Sequence, residues 1–119
     1  MNNLEQFYVI NGTNAADVVA RLGGDPSLVI RFLMKFPNDG SFNQLCAALE
    51  SGDNEIAFRA AHTLKGTCAN LGLQRLYVQA SAMTEMLRGG GGIDEARAAL
   101  AALEQEYRQV LAALETLRA

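Results

Sequence analysis

Asn54-Glu55-Ile56-Ala57-Phe58-Arg59-Ala60-Ala61-His62-Thr63-Leu64-Lys65-Gly66-Thr67-Cys68-Ala69-Asn70-Leu71 is the stretch from which the rest of the chain can be read. At about 100° per residue, Ala57, Ala60, Leu64, Cys68 and Leu71 gather on one side, so the segment is an amphipathic helix with that side toward a core. Ser51-Gly52-Asp53 closes the preceding element and caps this one, and Gly72 ends it. His62 lies about 160° from Leu64, on the opposite surface.

That outer surface has an unusual composition. A solvated helix face carries Glu, Lys, Gln and Arg, whereas this one groups the chain's sole histidine with Phe58, Arg59, Lys65, Gly66 and Ala69. A glycine inside a helix costs about 1 kcal/mol relative to alanine, so position 66 has a reason to be bare. Close helix–helix packing is one such reason, but Gly66 projects away from the core side. Four residues after His62, it removes the side chain that would crowd the imidazole. Lys65, three residues on, can reach the same patch, where an ammonium would stabilise a phosphoryl group bearing nearly two negative charges. In isolation, an exposed Lys near a His carries little weight.

Outward from this helix the pattern stays helical. Leu73, Leu76, Ala80, Met83 and Leu87 mark a helix over about 73 to 87. Gly89-Gly90-Gly91-Gly92 reads as a flexible connector. Ile93, Ala96, Leu100, Leu103, Tyr107, Val110, Leu114 and Leu117 then give the clearest helical period, with Glu95, Arg97, Glu106 and Arg108 on the solvated side. Toward the N-terminus, Phe42, Leu45, Cys46 and Leu49 form a stripe for which Ser41 and Gln44 make a plausible capping box. A break over 37–40 separates it from Leu28, Val29, Phe32, Leu33 and Phe36, whose helix starts at Asp25-Pro26. Thr13 or Asn14 caps a short helix ending at Gly23-Gly24. Residues 1–12 show no clear period and are expected to be a loosely packed lead-in to one domain over 13–119. The expected fold is all-α: an antiparallel up-down-up-down four-helix bundle with a short N-terminal covering helix.

Composition bounds function. The 119 residues suit one domain, and the formal net charge of −3, with no run among ten Lys and Arg, argues against nucleic acid and a polybasic membrane patch. No apolar stretch approaches the roughly 20 residues that span a bilayer, and Met1–Phe7 lacks a signal-peptide pattern. Cys46 and Cys68 lie in helical apolar patterns, as expected of reduced, buried thiols in the cytoplasm. Two cysteines and one histidine do not make a zinc site. A metal or haem bundle would need inward-facing ligands, and His62 points outward. No nucleotide-binding glycine motif and no acid–base partner for hydrolysis accompany His62, so it has the makings of a carrier rather than an enzyme with its own nucleotide or metal site.

The segment Ala61-His62-Thr63-Leu64-Lys65-Gly66-Thr67-Cys68-Ala69-Asn70-Leu71-Gly72 resembles the signature of histidine phosphotransfer domains of two-component phosphorelays, with Gly52-Asp53 and Leu22-Gly23-Gly24-Asp25 in support. The likeness runs from about Asn14 to the C-terminus and is similar to domains fused to hybrid sensor kinases. It implies that His62 accepts a phosphoryl group from a receiver-domain aspartate and passes it to another. It implies Lys65 as the supporting cation, Gly66 as clearance, and Phe58, Arg59 and Ala69 in the docking surface. Thr84 matches the position from which some relatives support the imidazole with a glutamine. The implied partners are response-regulator receivers, which bring their own Mg²⁺, and a sensor histidine kinase. The protein is expected to be a cytoplasmic monomer, or the C-terminal part of a membrane-bound hybrid kinase. Two other readings share the fold: a helical docking module that is not phosphorylated, and the phospho-accepting domain of a chemotaxis-type kinase.

Overall fold

In the computed structural model, which describes residues 1–118, the chain is helical, with no strand among the described residues. Its helices are α1 (Asn3–Ile10), α2 (Ala15–Arg21), α3 (Pro26–Lys35), α4 (Ser41–Ser51), α5 (Asn54–Leu71), α6 (Gln74–Leu87) and α7 (Ile93–Glu115). Their ends follow local chemistry. Asn14, Asp25 and Asp53 are extended N-cap residues whose side chains accept backbone N–H groups of Asp17, Ser27 and Ile56. Gly52 and Gly72 close α4 and α5 with φ of 78° and 70°, a left-handed conformation that L side chains avoid.

The helices assemble as a bundle. Helix α5 packs on both α4 and α6, α6 packs on α7, and α7 returns to α4. Leu45, Leu49, Ala57, Leu64, Cys68, Leu76, Met83, Leu87, Leu103 and Val110 interlock between them, each almost fully buried. Burying one such leucine contributes about 1.5–3 kcal/mol, so this seam is the main source of stability. The molecule is elongated, 43 × 23 × 21 Å. No described helix is long and apolar enough to cross a membrane.

Four local expectations are corrected. Residues 1–12 are not a loose lead-in. Asn2 and Glu5 form a reciprocal capping box that starts α1, and Leu4, Phe7 and Tyr8 are buried. The Tyr8 hydroxyl donates to the Leu71 carbonyl at 2.8 Å, and Arg21 donates to the carbonyls of Ala69 and Asn70 at 3.0 and 3.2 Å. The N-terminal helices thus supply donors to the carbonyls of Asn70 and Leu71 in the last turn of α5, and a second donor to that of Ala69, which also accepts from the Gly72 N–H. The last residue of the expected domain, Ala119, lies outside the described residues.

The proposed capping box of Ser41 and Gln44 does not form. A 3₁₀ turn over Phe36–Asn38 precedes α4, and Asp39 instead accepts from the Ser41 backbone N–H at 2.9 Å and from its hydroxyl. Asp39 is extended and can reach forward, whereas Ser41 is already inside the helix.

The glycine run is a defined turn rather than a slack connector. Arg88–Gly90 form a 3₁₀ turn, and Gly92 passes so close to α6 that a Cβ there would lie 1.8 Å from the Met86 carbonyl oxygen. Among the cysteines, Cys68 is buried as expected, whereas Cys46 is partly exposed.

Candidate functional site

The core side of α5 comprises Ala57, Ala60, Ala61, Leu64, Cys68 and Leu71, all buried. The same rotation leaves His62 exposed midway along the helix, with Arg59, Gly66 and Ala69 exposed beside it and Phe58 and Lys65 half-buried. These six residues share the side of α5 turned away from the core. A Cβ built on Gly66 meets no atom within 4 Å, so its bareness serves no packing contact within the chain.

Phe58 and His62 are stacked, with ring centroids 6.0 Å apart and planes within 3° of parallel. The Arg88 guanidinium carbon lies 5.3 Å from the Phe58 ring centroid. Arg88 is held in turn by two hydrogen bonds to the Glu85 carboxylate, at 2.9 and 3.0 Å. Those bonds hold the Glu85 carboxyl below its ordinary range, and the Lys65 charge adds to the effect from across the α5–α6 seam. The same bonds raise the Arg88 guanidinium above its ordinary value.

The cations around His62 differ in what they are free to do. Arg59 is paired with Glu55 and Arg88 with Glu85, whereas Lys65 joins no ion pair among the described residues.

Thr84 does not join this site. It is fully buried on the core side of α6, and its hydroxyl donates to the Ala80 carbonyl one turn back, at 2.7 Å. The support expected of it is corrected: the side chain faces the bundle interior, and its proton is already committed. Glu85 and Arg88, absent from the expected set, stand at the site instead. Their spacing of three residues reads as an ordinary surface ion pair. Nothing in it reveals that Phe58, thirty positions earlier than Arg88, lies under the guanidinium.

Among the described residues, no three His, Cys, Asp or Glu side chains converge as a metal site would require. The arrangement presents an exposed imidazole, a lysine outside the ion pairs of the described residues and a bare helical surface, chemistry that can take up an anionic group. The family model described as the Hpt domain matches residues 28–116. No curated protein and no solved structure matches the chain significantly.

Proposed function

Since the chain belongs to the Hpt family of histidine phosphotransfer domains, histidine carriers of two-component phosphorelays, we propose that His62 is its phospho-accepting residue. The observation that carries this reading is the exposed His62 imidazole standing midway along α5 beside the open surface of Gly66. A neutral imidazole nitrogen attacks the phosphorus of a receiver's aspartyl phosphate. The N–P bond forms as the P–O bond to the aspartate breaks, the carboxylate leaves with the electron pair, and the second ring N–H releases its proton. Lys65 supports the negative charge carried on His62, and Gly66 gives the receiver room to approach. The reverse sequence delivers the group to the aspartate of another receiver.

The catalytic Mg²⁺ belongs to the receivers, so the chain acts as a stoichiometric phosphoprotein without a nucleotide or metal site of its own. Phe58, Arg59 and Ala69 contribute to the receiver-docking surface, and a sensor histidine kinase feeds the relay. The short connections favour an antiparallel up-down-up-down order for α4–α7. We place the protein in the cytoplasm as a monomer, contacting neither nucleic acid nor the bilayer directly.

The test is incubation with an acetyl-phosphate-charged receiver. An acid-labile label on the wild-type chain that is lost in His62→Gln supports the carrier and excludes a docking module that is never phosphorylated. Persistence of the label in that variant overturns the assignment.

A further inference from the structure

An exposed histidine on a helix would ordinarily spread over several rotamers, and each wrong one must be left before an in-line attack can occur. His62 has a neighbour that reduces this freedom. Phe58 stands one turn earlier on the same face, its ring nearly parallel to the imidazole at 6.0 Å between centroids. Phe58 is itself half-buried and is met from the end of α6 by Arg88, 5.3 Å from the ring centroid. Glu85 fixes Arg88 through two hydrogen bonds. A chain of contacts thus runs from the α6 terminus through Arg88 and Phe58 to the imidazole.

We infer that Phe58 is a positioning residue: clamped by the Glu85–Arg88 pair, it holds the His62 ring in the orientation from which its nitrogen attacks phosphorus. This rests on the carrier reading above and gives Phe58 a role separate from docking. The chemistry is unchanged: the ring nitrogen forms a bond to phosphorus as the donor's bond breaks. What Phe58 changes is the fraction of time the ring is aimed.

Because His62 is the sole histidine, its imidazole resonances stand alone in a ¹H–¹³C spectrum. In Phe58→Leu these resonances shift as the ring current is lost, and the side-chain couplings move toward rotamer averaging. Phe58→Tyr restores both. Labelling is followed with two donors: a charged receiver, and phosphoramidate, whose P–N bond breaks to release ammonia and which needs no docking surface. Phe58→Leu is expected to slow both reactions about 2- to 10-fold, the span of an aromatic pair interaction, through the rate constant at saturating donor rather than the apparent KM. Arg88→Gln moves rate and couplings in the same direction, and failure to do so overturns the clamp. A Phe58→Leu effect confined to KM for the receiver, with phosphoramidate labelling unaltered, means docking alone and overturns the inference. So do unaltered His62 couplings. A wild-type chain labelled by neither donor overturns the carrier reading itself, a result distinct from a labelled wild type with an indifferent Phe58→Leu.

Discussion

The Tyr8 hydroxyl donates a 2.8 Å hydrogen bond to the Leu71 carbonyl, joining the first helix of the chain to the last residue of the helix that carries His62. Both groups are buried, and burial pushes the Tyr8 phenol well above its ordinary value, so it remains a donor at any working pH. Tyr8→Phe leaves a buried carbonyl short of a partner and is expected to cost about 1–3 kcal/mol in urea unfolding. Leu71 lies about 13 Å along the helix from His62, so phosphotransfer by the folded variant is expected to be unaltered.

Gly66 gives the opposite pairing of effects. A side chain there meets open space and replaces the poorest ordinary helix former, so Gly66→Leu is expected to hold or raise the melting temperature, by up to about 1 kcal/mol in stability. Transfer from a charged receiver is expected to fall about tenfold or more as the added bulk displaces the partner. A variant that transfers normally would remove the clearance role.

His62→Ala removes an exposed side chain and should shift stability by less than about 0.5 kcal/mol while abolishing the label. A thermal melt lowered as far as by a core Leu→Ala substitution would contradict the outward placement.

Thr84→Val tests the correction at that position. Valine keeps the shape and loses only a hydroxyl bonded within its own helix, so the expected cost is within about 1 kcal/mol, read by urea unfolding. The transfer rate should match wild type, and a large drop would return Thr84 to the site.

Alkaline unfolding should report the buried thiol. Burial pushes Cys68 up from 9.0 to about 12. The unfolded chain then gives up this proton first as pH rises, binding fewer protons than the folded chain between those values. Stability is therefore full below about pH 9 and declines as the pH climbs toward 12. The urea midpoint measured at pH 8 and then at roughly pH 10.5 should fall, and the slope should flatten in Cys68→Ala.

Much of this was legible in the residues because it depends on period. The wheel that buries Ala57, Leu64 and Cys68 also exposes His62, and Asp53 and Gly72 mark the ends of that helix without tertiary information. What was hidden depends on contacts between elements. Helix α1 has only eight residues, too few for its Leu4, Phe7 and Tyr8 to stand out as a period, although Asn2 and Glu5 carried a capping signal. Thr84 was placed by correspondence with relatives, and only the packing of α6 shows it turned inward. Arg88 carries no signal in the sequence because its aromatic partner, the Phe58 ring, comes from another helix.

Gly92 fixes where a reporter can be spliced into this protein. Its φ of 79° and its closeness to the Met86 carbonyl make the join between α6 and α7 intolerant of inserted sequence, despite four consecutive glycines that look designed for it. Gly23 and Gly24 share the positive φ, but a Cβ on either would meet no atom within 4 Å, so their turn leaves more room for a fluorescent or affinity tag.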